Sequence, residues 1–86
     1  METNEHLQRA ISEVLDNQLQ SGEPPETKQT LARLLKSGLD GKETRRLICC
    51  VISGEIFDIM KNNKPFNRER FVTRLAELPD TSWLDE

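Results

Sequence analysis

The chain has 86 residues, of which 35% are hydrophobic and 31% charged, with a net charge of -3 and a pI near 5.2. A chain of this size buries only about 60% of its unfolded surface, so there is room for one domain, residues 1–86, with a modest core. The mild acidity argues against a nucleic-acid footprint, which needs a basic face, and no apolar run reaches the roughly 18 residues that a membrane span requires.

Two turn-forming stretches, Ser21-Gly22-Glu23-Pro24-Pro25-Glu26 and Ser37-Gly38-Leu39-Asp40-Gly41-Lys42-Glu43, separate apolar runs of helical period. Before the first, Leu7, Ala10, Ile11, Val14, Leu15 and Leu19 recur at three- and four-residue steps. This predicts a first helix over 4–20 with one buried stripe and Thr3 as its N-cap. Gly22 suits the left-handed residue that closes it. Pro24 and Pro25 cannot sit inside a helix but can begin one. The second helix is therefore predicted to run to Lys36, burying Leu31, Leu34 and Leu35, with Thr27 on the same face. Gly38 is the expected left-handed residue after it, and Leu39 the apolar partner of a Schellman turn.

Asp40 and Glu43 have the spacing of a capping box. The helix they open, to about Lys61, is the most apolar segment: Leu47 to Ile52, then Ile56, Phe57, Ile59 and Met60. A helix apolar on most sides is expected at the centre of a fold, touched from several directions. Asn62-Asn63-Lys64-Pro65 ends it. Asn67 caps a fourth helix to about Glu77, with Phe66 and Phe71 at the spacing of a hydrophobic staple. That helix is expected to bury Phe71, Val72, Leu75 and Leu78. Loose ends are expected at about 1–3 and 80–86. The expected fold is all-α: a four-helix up-down arrangement with short turns and helix three at its centre.

The catalytic vocabulary is thin. His6 is the single histidine and there is no tyrosine. Cys49 and Cys50 are adjacent, so they build no disulfide framework and project about 100° apart on a helix, poorly placed for zinc. Free cysteines of this kind serve most often as small hydrophobes. No glycine-rich phosphate loop is present, and no cofactor or metal is implied. The polar N-terminus reads as no signal peptide, and the expected location is cytoplasmic.

Two polar residues fall on apolar faces: Gln18 on helix one and Glu55 between Ile48 and Val51 on helix three. Such groups need partners when buried. They are either satisfied core contacts, with Glu55 reaching an arginine, or a small polar pocket between helices one and three. Phe57 lies roughly opposite Ile52 and Ile59 on the wheel, and Trp83 is an aromatic in an acidic tail. Both are candidate interaction residues, although a tail aromatic more often folds back on the core. Arg45 and Arg46, with Lys42, are the only basic cluster worth weighing for nucleic acid, and a solvated helix face explains them better.

Asp16-Asn17-Gln18-Leu19, Gly22-Glu23-Pro24-Pro25-Glu26, Leu31 through Leu35, Gly38, Glu43, and Phe71 through Leu75 with Leu78 and Pro79 resemble a family of small all-helical bacterial proteins of unknown function. The resemblance covers most of residues 7–79 and implies the helical fold, but no activity. Members of that family carry histidines four apart on the first helix. Gln8 and Ser12 stand at those positions here, so metal or catalytic ideas built on the histidines do not transfer. The leading expectation is a non-enzymatic bacterial protein-protein interaction module, with an unidentified protein or a second copy of the chain as partner. The alternative is a small-ligand binding protein or minor enzyme using Glu55 and Gln18. Nucleic-acid binding through Arg45 and Arg46 ranks last.

Overall fold

A computed structural model describes residues 5–82. Four helices follow one another: α1 (Glu5–Ser21), α2 (Pro25–Lys36), α3 (Gly41–Asn62) and α4 (Arg68–Glu77). No strand occurs among the described residues. The connections are short, and each helix packs on the next, as in an up-down arrangement. At 1.5 Å per residue α3 is about 33 Å long, which matches the longest dimension of the molecule, 35 Å.

The turns follow their sequence signals. Gly22, at φ 73°, closes α1, its N–H donating to the Gln18 carbonyl at 2.9 Å. Gly38, at φ 109°, ends α2 in a full Schellman turn. The Gly38 N–H donates to the Leu35 carbonyl and the Leu39 N–H to the Leu34 carbonyl, while the Leu39 side chain packs on the core. Asp40 caps α3 by accepting from the Glu43 N–H at 2.7 Å. Only half of the capping box forms, because the Glu43 carboxylate turns to Arg46 at 2.6 and 2.8 Å. Asn67 caps α4 by accepting from the Arg70 N–H at 2.9 Å, and the Phe66 and Phe71 rings meet at 5.5 Å as the staple predicts. The proposed cap Thr3 lies outside the described residues.

Ile11 and Leu15 of α1, Leu34 of α2, Leu47, Ile48, Val51 and Ile52 of α3, and Phe71, Leu75 and Leu78 at α4 form one core. Two expectations need correction. Leu35 is exposed, because the α2 face that turns inward is Thr27, Thr30 and Leu34. Steps of three and four from Leu34 select the two threonines, whose methyl groups pack while their hydroxyls need partners. Leu7 and Ala10 are also exposed, so the α1 stripe is buried only from Ile11 onward. Helix α3 is central as expected, and α2 joins it there, since each of these two packs against all three other helices.

Arginines tie the periphery together. Arg33 of α2 donates to the carbonyls of Leu75 and Leu78 at 2.9 and 3.0 Å at the end of α4, where the Leu75 carbonyl also accepts from the Leu78 N–H. Arg45 of α3 reaches Ser12 and Asp16 of α1 at 3.2 and 2.9 Å, and Arg68 of α4 reaches Glu26 of α2 at 3.1 Å. The Thr44 hydroxyl, fully buried in the first turns of α3, is the one buried side-chain polar atom without a partner among the described residues.

Candidate functional site

Glu55 is the most deeply buried charged side chain among the described residues, at 2% exposure. Its place on the inward face of α3 follows from the helical period that also buries Ile48, Val51 and Ile52. A carboxylate there needs compensation, and α4 supplies it. Arg70 donates to Glu55 from Nε at 2.8 Å and from a terminal nitrogen at 3.3 Å, and Arg74 donates at 3.1 Å. Both arginines also approach Asp58 at 3.4 Å. The hydrogen bond to Glu55 raises the Arg70 pKa above its ordinary value. The four side chains form a neutral cluster that clamps α4 to α3, with the arginines one turn apart on the face flanking Phe71 and Leu75.

Gln18 has a different partner. Its Oε1 accepts from the hydroxyl of Thr27 on α2 at 2.9 Å. Gln18 and Glu55 are thus each satisfied by another helix, α2 and α4 respectively, and no hydrogen bond joins them. The surface beside Gln18 is an open depression of about 530 Å³, lined by Val14, Asn17, Gln18, Gln20, Ser21 and Glu23. A more polar one of about 470 Å³ lies over Arg70 and Arg74.

The outward side of α3 changes character along its length. Near its start stand Lys42, Glu43 and Arg46. The Glu43–Arg46 pair holds the Glu43 carboxyl below its ordinary pKa, chiefly through the hydrogen bond, and pushes Arg46 up. Arg45 is committed to Asp16. The basic pair singled out in the sequence is therefore engaged within the chain. Near the other end stand Phe57 and Met60, exposed at 61% and 77%. The Lys61 ammonium sits over the Phe57 ring, 5.6 Å from its centroid. Phe66, in the following connection, is half exposed. Trp83 lies outside the described residues.

Cys49 and Cys50 are half-buried free thiols. Cys49 packs against the core, and burial raises its thiol pKa despite the opposing pull of Arg45. That favours the neutral thiol over a nucleophilic thiolate. Among the described residues no three His, Cys, Asp or Glu side chains gather in a way that could hold a metal ion, and no helix is long and apolar enough to cross a membrane.

The residues that sequence reasoning did not single out are Met60 and Lys61 beside Phe57, and Arg70, Arg74 and Asp58 around Glu55. The i, i+4 spacing of Arg70 and Arg74 beside core positions was the available signal for the cluster. For Met60 and Lys61 it was their position on the Phe57 side of the wheel. No protein-family model, curated protein or solved structure matches the chain.

Proposed function

We propose that this chain is a non-enzymatic protein-interaction module that docks through the distal outward face of α3. The observation that carries this reading is the exposure of Phe57 and Met60, large apolar side chains one turn apart and the two most exposed of their kind among the described residues. Isolated exposed apolar residues are ordinary, but a bulky pair held on a rigid helix is a usable anchor. The resemblance to small bacterial helical proteins supports a bacterial setting, and the free cysteines support a cytoplasmic one. Self-association belongs to the same reading, because a second copy is one partner such a face can take.

The ligand-binding or enzymatic alternative rests on Glu55 and Gln18. It has less support, because the Glu55 oxygens already accept from two arginines and the surface near Gln18 is shallow and open. Nucleic-acid binding has least, since Arg45 and Arg46 are paired with Asp16 and Glu43.

A photo-crosslinking amino acid placed at position 57 or 60 in the native cell tests the docking reading. Discrete protein adducts from both positions, missing when the probe replaces Glu13 on α1, are expected. Equal labelling from all three positions, or no protein adduct from 57 and 60, contradicts it.

A further inference from the structure

The distal end of α3 differs in charge from the chain that carries it. The protein is acidic, with a net charge of -3. Around Phe57 and Met60 the uncommitted charges are positive. Asp58, the one acidic residue on this stretch, faces Arg70 and Arg74. Lys61 and Lys64 make no ion pair among the described residues, whereas Arg33, Arg45, Arg46, Arg68, Arg70 and Arg74 all bond to protein groups. Lys61 in the last turn also offsets the negative end of the α3 dipole, which accounts for a cation there but leaves its outward charge available. Its ammonium lies over the Phe57 ring, so apolar surface and positive charge are presented together. Met60, the most exposed large apolar side chain among the described residues, is flexible and adapts to differently shaped apolar partners.

Resting on the docking reading above, we infer that the Phe57–Met60–Lys61 face binds an acidic amphipathic helix of another protein, whose apolar side chains pack on Phe57 and Met60 while its acidic rim meets Lys61 and Lys64. Charge complementarity selects this occupant over a second copy. A second copy docking through the same distal face brings its own Lys61 and Lys64, and its one acidic residue there, Asp58, already faces Arg70 and Arg74, so it offers these lysines no counter-charge, whereas an acidic partner does. An apolar face without the lysines would take any amphipathic helix; with them, an acidic rim is preferred.

The test uses the full chain and two dye-labelled helical peptides that share one leucine stripe at i, i+3, i+4 and i+7. One carries glutamates on its rim and the other lysines. Fluorescence anisotropy is expected to show saturable binding of the glutamate peptide, weakened by raising salt from about 0.05 M to about 0.5 M. The lysine peptide should bind at least about tenfold more weakly. Lys61→Glu should reduce glutamate-peptide affinity about tenfold, and Lys61→Arg should retain it. Phe57→Ser, with its fold checked by circular dichroism, should reduce it by about thirtyfold. Equal binding of both peptides, or none of the glutamate peptide, overturns the inference. A dimer in sedimentation that Phe57→Ser abolishes overturns it in favour of a second copy. A large gain in affinity on truncation after Ser82 overturns it in favour of the chain's own last four residues. If positions 57 and 60 still crosslink a protein in the cell while the glutamate peptide fails, the docking reading stands and only the partner's chemistry is wrong.

Discussion

Along α3, the inward and outward sides respond differently to distance. Inward, the helix is buried from Thr44 through Glu55, and it packs against α1, α2 and α4. Outward, the first half is an ordinary solvated surface with its own Glu43–Arg46 ion pair. The second half replaces those charges with Phe57 and Met60, exposed at 61% and 77%. Packing inside the chain accounts for the inward side. It does not account for a bulky aromatic and a methionine on the outward side, where a charged residue would favour solubility. The contrast teaches that apolarity on all sides of a helix carries two kinds of information. One half of it builds the core, and the other half stays exposed among the described residues.

The contrast can be broken first where burial is greatest. Ile52→Ala, at a site 3% exposed within the core, is expected to cost about 2–5 kcal/mol. Chemical denaturation measures it, and a loss under about 1 kcal/mol would remove Ile52 from the core. Glu55→Ala should cost roughly 1–3 kcal/mol. This is less than for a fully buried pair, because Arg70 and Arg74 are 35% and 19% exposed and can regain water. Its loss should fall on α4, visible as faster amide exchange there than in α1. A cost equal to that of an ordinary surface change would mean that the clamp contributes nothing.

Much of the fold was legible because its signals are local. Gly22, Gly38, Asp40, Asn67 and the Phe66–Phe71 staple each act over a few residues, and the structure uses each as its spacing implies except that Glu43 leaves the Asp40 capping box for Arg46. What was not legible depends on tertiary choice. Thr30 lies about 40° from Leu34 on the wheel and Leu35 about 100°, so the period pointed to the threonine and side-chain hydrophobicity to the leucine, and Thr30 goes inward. For the same reason α2 looked less central than it is, since two of its three buried residues are threonines. Glu55 was visible as a polar residue on an apolar face, but its partners are 15 and 19 residues away on another helix. Phe57 was legible as the far side of the wheel. Lys61 above its ring was not, because a cation–aromatic contact depends on rotamer as well as spacing.

Smaller effects sharpen the contrast. Asp40→Ala removes the cap of α3 and should cost about 1 kcal/mol. The Glu43 carboxyl is depressed in the folded chain, so its contribution is present above the ordinary carboxylate range and lost as pH falls through the folded value. Arg46→Ala should return that carboxyl toward its ordinary pKa, as read by NMR titration, and should weaken the acid-side dependence. Cys49, with its thiol pushed up by burial, should react slowly with thiol reagents at neutral pH. Fast labelling there would contradict its place against the core. Smallest of all, Phe57→Ser should change stability by no more than about 0.5 kcal/mol, as at a surface site. A cost like that of Ile52→Ala would move Phe57 into the core and end the distinction between the two sides.

The chain contains three phenylalanines, Phe57, Phe66 and Phe71, which makes the central claim directly measurable in the 86-residue chain. Their ring signals can be followed by NMR as a soluble paramagnetic agent is added. An α3 whose distal outward face is open predicts that Phe57 broadens first, Phe66 next, and Phe71 scarcely at all, in the order of their exposures of 61%, 49% and 1%. A Phe57 ring as protected as Phe71 would show that the face is already covered, and the docking account would lose its basis.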